Sequence, residues 1–147
     1  MIIMQILTDL VMLLFQYILE ELENQKQLYN LEDGSSDRIA DLRFGHDDRL
    51  GPLHILMGIN GADRDPEDPY EVKNIYQNWQ TCKACNIQLI FYRSKKAGDD
   101  VLVKCLLNGH EASLPLPTDN YPYYKWSDFR QFYTERCNSN DPNKPQK

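Results

Sequence analysis

Basic residues are the minority charge in this chain. Lys and Arg total 16 against 22 Asp and Glu, for a formal net charge of −6. A protein that grips nucleic acid needs a basic face to neutralise phosphates, so the balance argues against such a partner. It leaves room for a small anionic ligand, because a local cluster of donors can oppose the global charge. Cysteine is sparse too. Cys82, Cys85, Cys105 and Cys137 are the only four in 147 residues, too few for a disulfide scaffold at this length. Cys82-Lys-Ala-Cys85 has the spacing of half a zinc site or of a redox pair. A zinc ribbon needs a second such pair, and the sequence has none. A thioredoxin-like pair should open a helix after a strand, whereas this one precedes the strand-like NIQLIFYR. A structural role is expected for Cys82 and Cys85, with a disulfide between two of the four open if the compartment is oxidising. No metal or cofactor is expected.

A long uninterrupted hydrophobic run is also missing. The N-terminal MIIMQILTDLVMLLFQYILEELENQ is very apolar, but Gln5, Asp9 and Gln16 interrupt it, and a membrane span needs about 18 or more continuous apolar residues. A secretory signal would carry a basic start and a small-residue cleavage site; here the first basic residue is Lys26. Ile3, Leu7, Leu10, Leu14, Ile18 and Leu22 recur at helical spacing. Met4, Val11, Leu13 and Phe15 lie off that stripe, so the helix is apolar on most sides. The expectation is a helix over 3–29 buried against a sheet and a neighbour, with a partner surface or an uncleaved export signal as alternatives.

Hydrophobic residues make up 41% of the chain, which excludes a disordered composition and allows one domain with a real core. Internal repeats and low-complexity segments are absent. Residues 31–38 read as a loop, and Ile39 to Phe44 as a short buried strand. Asp48 to Ile59 reads as a helix, with Gly51-Pro52 near its first turn, where proline is tolerated, and with Gly58 or Gly61 as its end. NGADRDPEDPYEVKN is a loop with a short helix from about Pro69. Gln88 to Arg93 is a strand, SKKAGDD a turn hinged at Gly98, and Val101 to Leu107 the returning strand. Asn108-Gly109 is a tight-turn pair leading into a third strand, HEASLPL. PTDNYPYY is a loop. Trp126 to Arg136 is a helix with Ser127 or Asp128 near its N-cap. Residues 138–147 form a frayed tail. The fold expected is α/β, a sheet of about three to four strands with flanking helices.

The stretch DLRFGHDDRLGPLHILMGI concentrates the chemistry. A strand that feeds a helix through a short turn puts its turn residues at the carboxyl edge of a sheet, where ligands of α/β proteins bind. The helix N-terminus offers unpaired N–H groups and a partial positive charge, which suit phosphate. His46 can donate to a phosphate oxygen. Asp47, beside a bound anion, would have its pKa raised and stay protonated. It could then give its proton to a departing alcohol. Asp48 is well typed as the helix cap. The plainer alternative is that the Asp before the helix is only a cap. His54, inside the helix, and His110, after a turn, are expected to be structural and surface residues respectively.

DLRFGHDDRLGPLHILMGI resembles the second signature of the histidine acid phosphatases, the family that includes phytases and multiple inositol polyphosphate phosphatases. NIQLIFYR followed by VLVKCLLNGHEASLPL is similar to the hairpin that follows in that family, and YYKWSDFRQFY resembles its closing helix. The similarity covers about residues 37 to 137. It implies a partial histidine-phosphatase-like fold over 1–137, with His46 contacting the phosphate and Asp47 acting as general acid. The substrate implied is a phosphomonoester, inositol phosphates included, and the family is typically secreted or periplasmic. Two departures stand out. The residue after His46-Asp47 is Asp48 where the family often has Thr. The family's nucleophile, a histidine in Arg-His-Gly-x-Arg-x-Pro, has no counterpart: the three histidines are His46, His54 and His110, and none follows an Arg. The resemblance therefore implies the C-terminal portion of such an enzyme, inactive alone, or a non-catalytic module that keeps the fold. It also implies that the apolar N-terminal helix needs a cover, through a homo-oligomer for instance.

Overall fold

The computed structural model describes residues 12–21, 23, 40, 42–44, 46–64, 66–75, 77, 83–94 and 98–139, with Asp47 described in its backbone alone. The expected loop at 31–38, residues 140–147 of the tail expected over 138–147, Cys82, and the ends of the expected N-terminal helix lie outside the described residues; residues 138 and 139 are not frayed but helical. The fold is mixed α/β, built on an antiparallel sheet of four strands. In chain order the described elements are α1 (12–21), α2 (Asp47–Met57), a single 3-10 turn (Ile59–Gly61), α3 (Pro69–Ile75), β1 (Ile87–Tyr92), β2 (Leu102–Leu107), β3 (His110–Glu111), β4 (Tyr123–Lys125) and α4 (Trp126–Ser139).

Strand β2 organises the sheet. It pairs with β1 along its whole length, from Ile87 opposite Leu107 to Tyr92 opposite Leu102. Its other edge is shared, β3 lying against Leu106 and Leu107 and β4 against Leu102 to Lys104. The residues of β2 alternate in the manner of a half-buried strand: Val103, Cys105 and Leu107 are buried, while Leu102, Lys104 and Leu106 are half-buried on the outer face. On that outer face Lys104 bonds Glu111, and the rings of Tyr92 and Tyr123 meet edge to face, 5.3 Å apart. The turn into β3 uses Asn108 and Gly109, both at positive φ (52° and 81°), the geometry that a two-residue hairpin requires and that Asn and Gly tolerate.

The inner face carries the core. Trp126, Phe129, Tyr133 and Cys137 recur at helical spacing on α4 and are all buried. They pack with Val103, Cys105, Leu107 and Tyr124 from the sheet and with Phe15 and Leu19 from α1. Trp126 stacks on Phe129, and Phe15 meets Tyr133 edge to face at 5.2 Å. The indole of Trp126 donates to Glu23 at 2.6 Å, tying that residue of the N-terminal segment to α4. Cys105 and Cys137 are free thiols in this core, and burial pushes the Cys105 thiol up to about 12, so it stays protonated and inert.

Several expectations need correction. Of the strand expected over Ile39 to Phe44, residues 40 and 42–44 are irregular, with Leu42 74% and Phe44 92% exposed. Apolar content alone does not make a strand: residues 40 and 42–44 have no place in the ladder that β2 organises. Within α1 the buried side is Met12, Phe15 and Leu19; Leu14 and Ile18 of the expected stripe are half-buried, because α4 takes the face set by Phe15. Asp48 is not the cap of α2; the helix begins one residue earlier, and His46 occupies the cap position. Pro52 consequently sits in the second turn. The strand expected over HEASLPL shortens to His110–Glu111, beyond which Ser113 turns to Asn60. The loop expected over PTDNYPYY yields its end to β4, since Tyr124 pairs with Val103. Helix α4 takes its cap from outside itself, with Asp100 accepting from both the N–H and the hydroxyl of Ser127.

Candidate functional site

Helix α2 has two unlike ends. At its start His46 has extended backbone (φ −92°, ψ 166°), and its side chain makes no capping hydrogen bond. The His46 carbonyl accepts from the Arg49 and Leu50 N–H groups at 3.0 and 3.4 Å, which closes the first turn. The imidazole is exposed. Asp47 is the first helical residue, so its backbone lies at the positive pole of the helix dipole; its side chain lies outside what the structure describes. Asp48 and Arg49 form a loose exposed ion pair at 3.9 Å. Just upstream, the Arg43 guanidinium sits over the Tyr17 ring of α1, 4.9 Å from its centroid. His46 and Asp47 are thus neighbours at a helix start with cationic side chains close in sequence. The strand expected to deliver them to a sheet edge is not formed by residues 42–44.

The other end of α2 is held by several partners. Gly58 closes the helix in the left-handed region (φ 63°), and its N–H reaches the His54 and Ile55 carbonyls. A Cβ at Gly58 would stand 2.7 Å from the Asp63 carboxyl carbon and 2.8 Å from Pro115. From α4, the Tyr133 hydroxyl donates to the Met57 carbonyl at 2.7 Å, and Arg136 donates to the Leu56 carbonyl at 2.9 Å. Arg136 also pairs with Asp63. Burial pushes the Tyr133 phenol far up, so it remains a donor. The following turn is fixed by Asn60, whose N–H donates to the Ser113 carbonyl and whose side chain accepts from the Ser113 N–H, both at 2.9 Å.

His54 is 2% exposed, in keeping with a structural role, and its Nε2 has no hydrogen-bond partner. Burial lowers its pKa below the ordinary value, against a smaller opposing effect of its hydrogen bond to the Ile59 backbone. His110 is exposed on β3. Among the described residues no group of His, Cys, Asp and Glu has the arrangement of a metal site. A hollow of about 470 Å³ lies at the end of the β1–β2 hairpin, lined by Tyr92, Arg93, Asp99, Asp100, Leu102 and Lys125 among others. It takes no residue from α2, and Asp100 is already engaged in capping α4.

Sequence reasoning singled out His46 and Asp47 but not the contacts that Tyr133, Arg136 and Asp63 make at the end of α2. The missing signal is long-range: the two donors reach carbonyls 76 and 80 residues earlier, and a backbone acceptor leaves no trace in a sequence pattern. Comparison with models of known protein families and with curated protein sequences returns no match.

Proposed function

We propose that this chain is the C-terminal part of an acid phosphomonoesterase of the histidine acid phosphatase type. In this reading His46 contacts the phosphate, and Asp47 is the general acid that protonates the departing alkoxide. The observation that carries it is the exposed, uncapped His46 immediately before a first helical residue that is an aspartate. Helix N–H groups and imidazole offer an anion donors, while the neighbouring carboxyl offers the leaving oxygen a proton. The β1–β2 hairpin and the closing α4 stand in the order that the family resemblance implies. The nucleophilic histidine and its arginines would come from a segment outside this sequence, so the chain by itself should hydrolyse nothing. The exposed Leu13 (62%) and Tyr17 (52%) of α1 support a cover for that helix, by the complementary segment or by a second copy.

The test compares phosphatase activity at acidic pH for this chain and for a longer one carrying the upstream reading frame. Turnover confined to the longer form and lost in Asp47→Asn supports the reading. Substantial turnover by this chain alone contradicts it. A second reading, a non-catalytic module with the same fold, is favoured by the absence of any Arg-His-Gly in the 147 residues. It predicts that the longer form is inactive too.

A further inference from the structure

We propose that Tyr133 and Arg136 of α4, with Asp63, are positioning residues that set the direction in which α2 presents His46 and Asp47. The inference rests on the phosphatase reading of that helix start and extends it to side chains at the opposite end.

Both donors are held before they meet α2. The Tyr133 ring lies among Phe129 at 4.6 Å, Phe132 at 5.1 Å and Phe15 at 5.2 Å. Held there, its hydroxyl donates to the Met57 carbonyl. The Arg136 guanidinium lies 5.2 Å from the Phe132 ring centroid. One of its nitrogens takes the Leu56 carbonyl and the other takes Asp63. A planar fork with two fixed acceptors defines an orientation as well as a place. The carbonyls of Leu56 and Met57 are adjacent at the helix end, where carbonyls lack intrahelical partners. Two donors on two adjacent carbonyls constrain the tilt of the helix axis, which one bond would leave free. Gly58 makes this possible, because a side chain there would push Asp63 and Pro115 away from the helix end.

The lever arm explains why this matters for chemistry. Eleven residues of helix at 1.5 Å each place the His46 end roughly 16 Å from the clamp. A tilt of about 4° at the clamp then moves His46 and Asp47 by roughly 1 Å. Displacements of that size cost an enzyme on the order of 100-fold when they misalign a proton donor. At the start of α2 His46 makes no side-chain cap.

Tyr133→Phe removes the hydroxyl donor while keeping the ring, Arg136→Lys replaces the two-pronged fork by a single ammonium while keeping the charge, and the double variant combines them. Gln131→Ala, on the exposed side of α4, is the control. Residual dipolar couplings measured on this chain report the direction of α2 relative to the sheet. The double variant is expected to change the couplings of α2 amides while those of β1 and β2 stay as they are. In the longer, active form at a temperature well below unfolding, kcat is expected to fall about 10- to 100-fold. KM should stay within about twofold, because ground-state binding relies less on the proton donor than the transition state does. Unchanged α2 couplings overturn the clamp, whatever the enzyme does. Unchanged kcat with only a lowered Tm overturns its positioning role and leaves a merely structural one. Full activity of Asp47→Asn overturns the phosphatase reading instead, and with it the catalytic meaning of the clamp, while the reorientation of α2 still reads out the clamp itself.

Discussion

At the scale of single residues, the account turns on two histidines of opposite environment on one helix. His46 is exposed at the start of α2 and His54 is buried in its last turn. Burial depresses the His54 pKa below the 6.5 of an exposed imidazole, so the unfolded chain binds the proton more readily than the folded one. Stability is therefore unaffected above about pH 6.5 and falls as the pH drops from there towards the folded value. Thermal unfolding followed between pH 8 and pH 5 should show the wild-type Tm dropping faster on the acid side than that of His54→Leu. Parallel curves would mean that His54 finds a partner when it is charged. The sequence showed that His54 lies on the helix, from the apolar pattern around it. It could not show the burial of Nε2, which depends on packing made only in the folded chain.

Two junctions decide the architecture at the scale of elements. Gly58 is left-handed at the end of α2, close to both Asp63 and Pro115. Gly58→Ala should cost about 2 kcal/mol or more, from the strained backbone and the displaced neighbours together. Calorimetry or denaturant unfolding would measure it, and a cost near zero would show that the junction is soft. Asp100 stands at the start of α4, joining the β1–β2 hairpin to the helix by capping Ser127. Asp100→Ala should cost about 0.5–2 kcal/mol, while Asp128→Ala should cost less, because Asp128 accepts only a weak 3.4 Å contact from Ser127. Equal losses would return the cap to α4 itself. These junctions mark the limit of what the chain makes legible. The hairpin and α4 were readable because alternation in β2 and the spacing of Trp126, Phe129, Tyr133 and Cys137 are local patterns. Residues 42–44 were misjudged because Leu42 and Phe44 are apolar without having a strand to join. Strand β4 was missed because three residues, pairing with Leu102 to Lys104, carry no periodicity of their own.

For the whole molecule, the sheet and α4 form a base to which the far end of α2 is tied by Tyr133 and Arg136. Of the candidate site, the sequence supplied the chemistry and the helix, and family resemblance supplied the roles. The clamp that orients the helix came only from the folded arrangement. The central claim is that Asp47 gives a proton to the leaving oxygen, and the dependence on leaving group tests it most directly. An alkyl phosphate has a poor leaving group that needs protonation, whereas p-nitrophenolate departs without much help. In the longer, active form, Asp47→Asn should lose about 10²- to 10⁴-fold in kcat on an alkyl phosphomonoester and far less on p-nitrophenyl phosphate. Equal losses on both substrates, or none, would contradict the assignment of Asp47 as the general acid.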